Sequence, residues 1–599
     1  MTFFLIYYFT IPLVIIGYGF VFCKLVLNNN YELFDLGFVG LIGFLSLYVI
    51  SILFHFFFEI SNFKILIIQI IGVIFFFYSF VTNQLKKIEV IKLIILGIFL
   101  LPLGIITESN EDFYHYYLPY MKYLESSKII FGLVNINDTL AYTSNSLYDI
   151  LILLKYPFVL KNSYSIPILI FYLFFLIFML NKLLKTRDIF YFLIFILSLI
   201  AFSSLRDFGT SVPPQLILII CGVIIYECIM IGYSKKHISF LLCLLTLAVI
   251  LRINSIIILP IFLLLIFYYY FKIPKYINEN YILILSLFLI ISLFIFKNII
   301  QSGCIFYPIH NTCFTKLTWS IDEKIVIQKN KKLQADSKGW PFYAKEHFNI
   351  KDKYVWKNLK DDNFKTYSVY ADTNPFFWIK YWIKDPNYKK IINLLALVLI
   401  INLLLLFKSK KIIQPIFNYN NTKYHLLILF SFISCLLWFY LSPQIRYGGA
   451  FCFIFSFSVL FKFINNKIKR HIMVSNMIVL VLVALIYVEY KNINRILYDI
   501  ENKLYNNYPW PNLYELKINE DFITDKKNNL IFNKRLYSKK LLFDNNSDYI
   551  LMCGNIEFPC IPDGKEVCLG SKKKKYGYLI YNQRNNDTCY NFMNNNILY

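Results

Sequence analysis

Apolar runs of about 17 to 25 residues, the length a helix needs to cross a bilayer, recur along this chain, and in lipid only helices or closed barrels satisfy their own backbone. Of its 599 residues, 58% are hydrophobic and 19% aromatic. The sequence therefore predicts an all-α polytopic membrane protein of about 14 transmembrane helices, with extracytoplasmic α/β loop and C-terminal regions. The expected spans lie near residues 3–24, 34–58, 64–82, 92–107, 165–184, 188–204, 213–232, 238–251, 255–271, 280–298, 389–407, 424–441, 448–464 and 472–489. The opening "MTFFLIYYFTIPLVIIGYGFVF" lacks both a charged start and a small-residue cleavage site, so it reads as the first span.

A formal charge of +24 would point a soluble chain toward nucleic acid, but here much of the lysine sits in short connections between apolar runs. The expected partner is the lipid bilayer, with no nucleic acid. The connections "NQLKKIEVIK", "NKLLKTRD", "YSKKH", "FKIPK", "FKSKKIIQ" and "NNKIKRH" alternate onto one side, which the positive-inside rule makes the cytoplasm. This parity requires that "LYDILILLKYPFVL" (147–160) does not cross. Its shortness, Asp149 and Lys155 suit an interfacial or re-entrant helix. Four regions follow: an N-terminal bundle, 1–298, with an outer acidic loop at 108–164; a large outer loop, 299–388; further transmembrane helices, 389–489; and an extracytoplasmic C-terminal domain, 490–599. The loop 299–388 mixes Trp319, Trp340, Trp356, Trp378 and Trp382 with Lys and Asp, as expected of an ordered segment at the lipid headgroups.

Cysteine placement agrees with this topology. Cys23, Cys221, Cys228, Cys243, Cys435 and Cys452 fall in or beside spans, as small apolar residues do. Cys304, Cys313, Cys553, Cys560, Cys568 and Cys589 all fall outside, an even number in a compartment where disulfides form. Cys304 and Cys313, in "CIFYPIHNTC", are the expected local bridge, with unpaired thiols as the alternative. Connectivity among the last four is open.

Arginine is scarce: of the 60 Lys and Arg only 8 are Arg. Arg206, Arg252 and Arg446 all sit in very short outer connections. A guanidinium is planar, always charged and able to hold two phosphate oxygens together, so three of them at one membrane surface read as a phosphate site. Against this stands interfacial snorkelling, or pairing with an acid such as Asp207. Glu111 and Asp112, in "TESNEDFYHYYLPYMKYL", follow a span by a few residues and emerge on the same side. A carboxylate beside apolar surface can serve as a general base. The plainer reading is a solvated loop in which Asn110 or Asp112 caps the next helix. His115 stands three residues after Asp112 and would orient the carboxylate or touch a phosphate. One histidine beside two carboxylates does not make a dedicated metal site; no cofactor is expected beyond a loosely bound divalent cation bridging Asp112 and a phosphate. There is no internal repeat, Walker A, GxGxxG or HExxH pattern.

"EDFYHYYLPYMKYL" with "GLVNINDTLAYTSNS", then "KNIIQSGCIFYPI", "SPQIRYGGA" and "CGNIEFPCIP", in this order, resemble the GT-C type of polyprenyl-phosphate-dependent membrane glycosyltransferases. Within that superfamily the chain is similar to an uncharacterised group of bacterial multi-pass membrane proteins. The resemblance implies an inverting transfer of sugar from a polyprenyl-phosphate donor to a glycan, lipid or protein acceptor, on the extracytoplasmic face of the bacterial inner membrane, in cell-envelope glycan synthesis. It further implies Asp112 as catalytic base, with Glu111 as its possible substitute, and Arg252 or Arg446 as the cation on the lipid phosphate. Outer aromatics such as Tyr116, Tyr117, Trp340 and Trp438 would then stack on sugar faces. The rival readings are a non-catalytic transporter of lipid-linked saccharides and an assembly protein whose outer parts bind partners.

The topology is checked by thiol labelling. After reduction, a membrane-impermeant maleimide is expected to modify Cys553 or Cys560 in intact spheroplasts; labelling seen only after permeabilisation would reverse the assignment of sides.

Overall fold

In the computed structural model the described residues are 2–27, 35–82, 85–105, 116–155, 166–186, 189–203, 209–230, 232, 235–269, 272–347, 368–385, 421–464, 470–501 and five short strands between 522 and 582. Where its residues are described, every expected span coincides with helix, while 389–407 lies outside the described residues. The bundle opens with α1 (Thr2–Val26), α2 (Leu36–Phe57), α3 (Asn62–Val81) and α4 (Lys87–Ile105). Then come two short helices, α5 (Leu118–Ser126) and α6 (Ser146–Leu154), before α7 (Ile166–Thr186), α8 (Ile189–Ala201), α9 (Val212–Met230) and α10 (Lys235–Leu251). A 3-10 segment, Ile253–Ile258, leads into α11 (Leu259–Tyr269), α12 (Ile273–Glu279) and α13 (Tyr281–Ser302). Among the described residues seven helices, α1 to α4, α7, α9 and α13, are long and apolar enough to cross a membrane, and shorter apolar helices accompany them. This is a helical, multi-pass membrane protein.

Lipid tails are as apolar as leucine, so spanning helices associate by close packing instead of by hydrophobic exclusion, and small residues mark where they touch. Helix α1 illustrates this against both α2 and α3. A methyl group added at Gly17 would lie 1.9 Å from the Gly72 carbonyl oxygen, and one at Gly19 would lie 1.9 Å from that of Val39. No side chain fits at either contact, so glycine sets the helix separation.

Side-chain bonds sort the helix ends as the charge pattern requires. At one end Lys92 and Asn181 both bond Glu89, while Lys182, Tyr191 and His237 converge on Glu227, joining the connections after α3, α7 and α9. At the other end the Gln215 amide donates to the Arg446 carbonyl (3.1 Å), Lys491 bonds Ser203 (3.0 Å), and the Gly132 amide donates to Ile300 (2.9 Å). The six cysteines expected in spans are free thiols, and Cys304 is disulfide-bonded to Cys313.

Three expectations change. The segment beginning at 147 forms α6, and each of its residues is buried. It packs against α2, α3, α5 and α10, so it is enclosed by protein, which departs from the interfacial alternative and leaves the re-entrant one standing. Its charges explain the enclosure: Asp149 is ion-paired with Lys297 of α13 and accepts a hydrogen bond from Tyr120 of α5 (2.8 Å), while Lys155 pairs with Glu125. A buried charge is tolerated only when paired and bonded, and that fixes α6 where its partners are. Second, the large loop is helical where described, with α14 (Glu323–Ser337), α15 (Trp340–His347) and α16 (Pro375–Trp382); its one β feature among those residues is the bridge between Cys304 and Cys313. Third, the bundle continues with α17 (Asn421–Leu441), α18 (Ile445–Ile464) and α19 (Arg470–Glu501), the last running past the expected end at 489. Beyond it β1 (Phe522–Asp525) pairs antiparallel with β2 (Leu530–Asn533), which pairs parallel with β3 (Cys560–Ile561); β4 (Leu569–Lys574) and β5 (Gly577–Asn582) form a separate antiparallel pair.

Lys297→Met leaves the fully enclosed Asp149 without its cation and is expected to cost about 3 to 5 kcal/mol. Asp149→Leu combined with Lys297→Met removes both charges and should recover most of that loss. Thermal unfolding of the purified variants in detergent measures both, and equal loss in the single and double variants would count against a buried pair at this position.

Candidate functional site

The short turn "LRINS" and the connection "SPQIRYGGA" meet at one end of the bundle. Arg252 follows α10 directly: its amide still bonds Ala248 (2.9 Å), while the Ser255 amide returns to the Arg252 carbonyl (2.9 Å) and the Ser255 hydroxyl to Ala248 (3.0 Å). The backbone is extended at Arg252, between α10 and the 3-10 segment. Its guanidinium carbon lies 4.1 Å from the centroid of the Tyr447 ring. The Arg446 guanidinium carbon stands 5.0 Å from the same centroid. Two cations on one phenol ring draw on its negative quadrupole, which offsets part of their mutual repulsion.

Close packing beneath the ring fixes Tyr447. A methyl group on Gly448 would fall 2.1 Å from the Trp438 ring, so only glycine lets α18 begin this near α17. The Trp438 indole donates to the Gln444 carbonyl (3.0 Å), and the Gln444 side-chain oxygen accepts from the Arg446 Nε (2.6 Å). Trp382 of α16 donates to the Pro443 carbonyl, tying the large loop to the same connection.

Tyrosines surround the arginines. Tyr116 and Tyr117 lie within electrostatic reach of Arg252, with their rings 4.2 Å apart. Tyr117 stacks on Tyr148 at 4.5 Å and bonds Thr210 at 3.1 Å. Tyr142 stands edge-on to Tyr116 at 6.1 Å and stacks on Tyr307 at 5.8 Å. Lys329 of α14, paired with Asp138 at 2.6 Å, faces the Tyr142 ring.

Three buried polar atoms near this cluster have no hydrogen-bond partner among the described residues: Arg252 Nη1, Tyr307 Oη and Asp336 Oδ1. Buried polar groups are nearly always satisfied, so an unpartnered guanidinium nitrogen beside a second arginine is a candidate contact for a ligand's polar atoms. Arg252 makes no ion pair to a carboxylate among the described residues, so pairing does not explain it. Withdrawing part of an unpaired guanidinium from water is costly, and an anion relieves that cost.

The sequence expectations divide here. Arg252 and Arg446 come together as expected. Arg206, Glu111, Asp112 and His115 lie outside the described residues, as does any cation held at Asp112; Asp112 precedes Tyr116 by four positions in sequence. Trp340, Trp438 and Tyr117 do not offer sugar-stacking faces: all are buried, Trp340 against Tyr343 and Tyr370, Trp438 beneath Gly448 and Tyr117 against Tyr148. Tyr447, Tyr142, Tyr307, Lys329 and Asp336 were missed. For Tyr447 the available signal was its adjacency to Arg446 and to two glycines.

Fold and site define a multi-pass helical membrane protein with a cationic, tyrosine-walled cluster at one end of its bundle. The chain belongs to the family described as a domain of unknown function (DUF8201), whose model matches residues 1–453, a stretch holding Arg252, Arg446, Tyr447 and Asp336. No curated protein and no solved structure matches it.

Proposed function

We propose that this protein is an integral membrane glycosyltransferase that takes a sugar from a polyprenyl-phosphate donor and transfers it to an acceptor at the extracytoplasmic face of a bacterial inner membrane. The observation that carries the reading is the half-buried Arg252 guanidinium, with its Nη1 enclosed and unpartnered and its carbon 4.1 Å from the centroid of the ring it shares with Arg446. A phosphodiester held there sits at the end of the bundle with its lipid chain directed along the helices. In the transfer the acceptor oxygen bonds to the anomeric carbon as the bond from that carbon to the phosphate oxygen breaks, and the acceptor proton passes to a carboxylate, Asp112 with Glu111 as its neighbour. The leaving phosphate departs as an anion. The two guanidiniums stabilise charge developing on it, an electrostatic contribution that grows where water is excluded. Tyr116 and Tyr142 supply ring faces for a saccharide.

Binding and chemistry separate by mutation. Arg252→Gln is expected to weaken binding of a polyprenyl-phosphoryl hexose at least tenfold, read by native mass spectrometry, because a charge-assisted bidentate contact is worth about 1.5 to 3 kcal/mol. Asp112→Asn keeps the size and the capping capacity of the side chain. It should bind the lipid normally yet fail to restore the glycan profile of a deletion strain. Full restoration by both Asp112→Asn and Glu111→Gln would favour the non-catalytic handling of lipid-linked saccharides.

A further inference from the structure

Helix α14 ends in "LQADSKGW", and Asp336 places a carboxylate in the last turn, where the helix's own carbonyls already concentrate negative charge. Its Oδ1 is enclosed and unpartnered, although Lys332, Lys329 and Arg446 all lie within electrostatic reach. No ion pair among the described residues joins it to any of them. The turn is docked on the arginine-bearing connection. Gln444 donates from Nε2 to the Asp336 carbonyl (3.4 Å) while accepting at Oε1 from Arg446 (2.6 Å), so one amide spans the two residues.

We propose that Asp336 is a positioning residue of the anion site, an internal counter-charge that acts through Arg446 and takes up a proton when a phosphodiester binds. This rests on the phosphate-binding reading of Arg252 and Arg446, and adds to it a coupling that the reading does not require. Burial pushes the Asp336 carboxyl up to about 7, against the pull of Lys332, Lys329 and Arg446. An arriving anion puts further negative charge beside a carboxyl whose Oδ1 has no bond to hold its ionised form. The carboxyl's pKa therefore rises on binding, and the tightly bound state is the protonated one. By linkage, affinity is fully developed at pH values below the free-state pKa and falls as pH rises through about 7. Lys329 and Lys332 on its own helix, Lys338 on the following turn and Arg446 opposite it are the charged groups around Asp336; His310 and His347 lie on elements packed against α14.

The test uses the full chain in nanodiscs and a polyprenyl-phosphoryl hexose, a phosphodiester whose own charge is constant across the range. The wild type is expected to lose roughly tenfold in affinity between about pH 6 and about pH 8.5, the equivalent of one pKa unit of displacement. Titration calorimetry near pH 7.5 in buffers of different ionisation enthalpy should show net proton uptake. Asp336→Asn retains both histidines and should bind with no pH dependence, at about pH 8.5 as tightly as the wild type does at about pH 6. Unchanged pH dependence in Asp336→Asn overturns the assignment, and so does wild-type binding without proton uptake, a result that stands even if the variant does not fold. Absence of binding by the wild type at every pH overturns the phosphate reading and this coupling together.

Discussion

The enclosed pair of Asp149 and Lys297 is the interaction from which the rest of this architecture follows. Two charges removed from water remain charged only at short range and with their remaining bonding capacity met, and Tyr120 meets part of that of Asp149. The three residues belong to α6, α13 and α5, so the ion pair holds together elements that no covalent proximity would. Helix α5 begins immediately after Tyr116 and Tyr117, and Tyr142 lies between the two 3-10 turns, Asp138–Ala141 and Thr143–Asn145, that precede α6. Lys297 lies one turn and a half before the loop that delivers Tyr307 and α14. The aromatic wall beside the arginines is therefore positioned from behind by a charge pair that touches no ligand.

That dependence explains which parts were legible in the sequence. Span positions were, because a long apolar run needs no tertiary information to be recognised. The meeting of Arg252 with Arg446 was legible in part: residues far apart in sequence but confined to short connections on one side share a plane. That they share the Tyr447 ring depends on α18 packing beside α9 and α17, and hydropathy does not encode the order of neighbours. Lys297 carries no signal of its own in the sequence, and Asp149 read only as a reason for α6 not to cross. Their pairing is a long-range contact with no local signature.

Asp336 was hidden for the opposite reason. "EKIVIQKNKKLQADS" has the composition of a solvated lysine-rich helix, and its carboxylate is enclosed only because the helix end docks on 442–446. The signal that could have found it is electrostatic: an acid in the last turn opposes the macrodipole, where lysine or arginine is the stabilising choice. A residue that breaks a local rule in an otherwise consistent helix is where function is to be sought.

The scarcity of arginine then acquires a physical meaning. A lysine at 252 would carry the same charge on a flexible stem, and its compact, strongly hydrated ammonium would be drawn toward water at the bundle end. The guanidinium is more weakly hydrated and planar, so it can lie against Tyr447 and still point donors at a second oxygen. A contact with the ring also consumes none of the N–H donors, and Nη1 is unpartnered. In a chain that uses lysine almost everywhere else, an arginine held this way is prepared for an anion with more than one oxygen, and a phosphate diester at a membrane surface has that geometry.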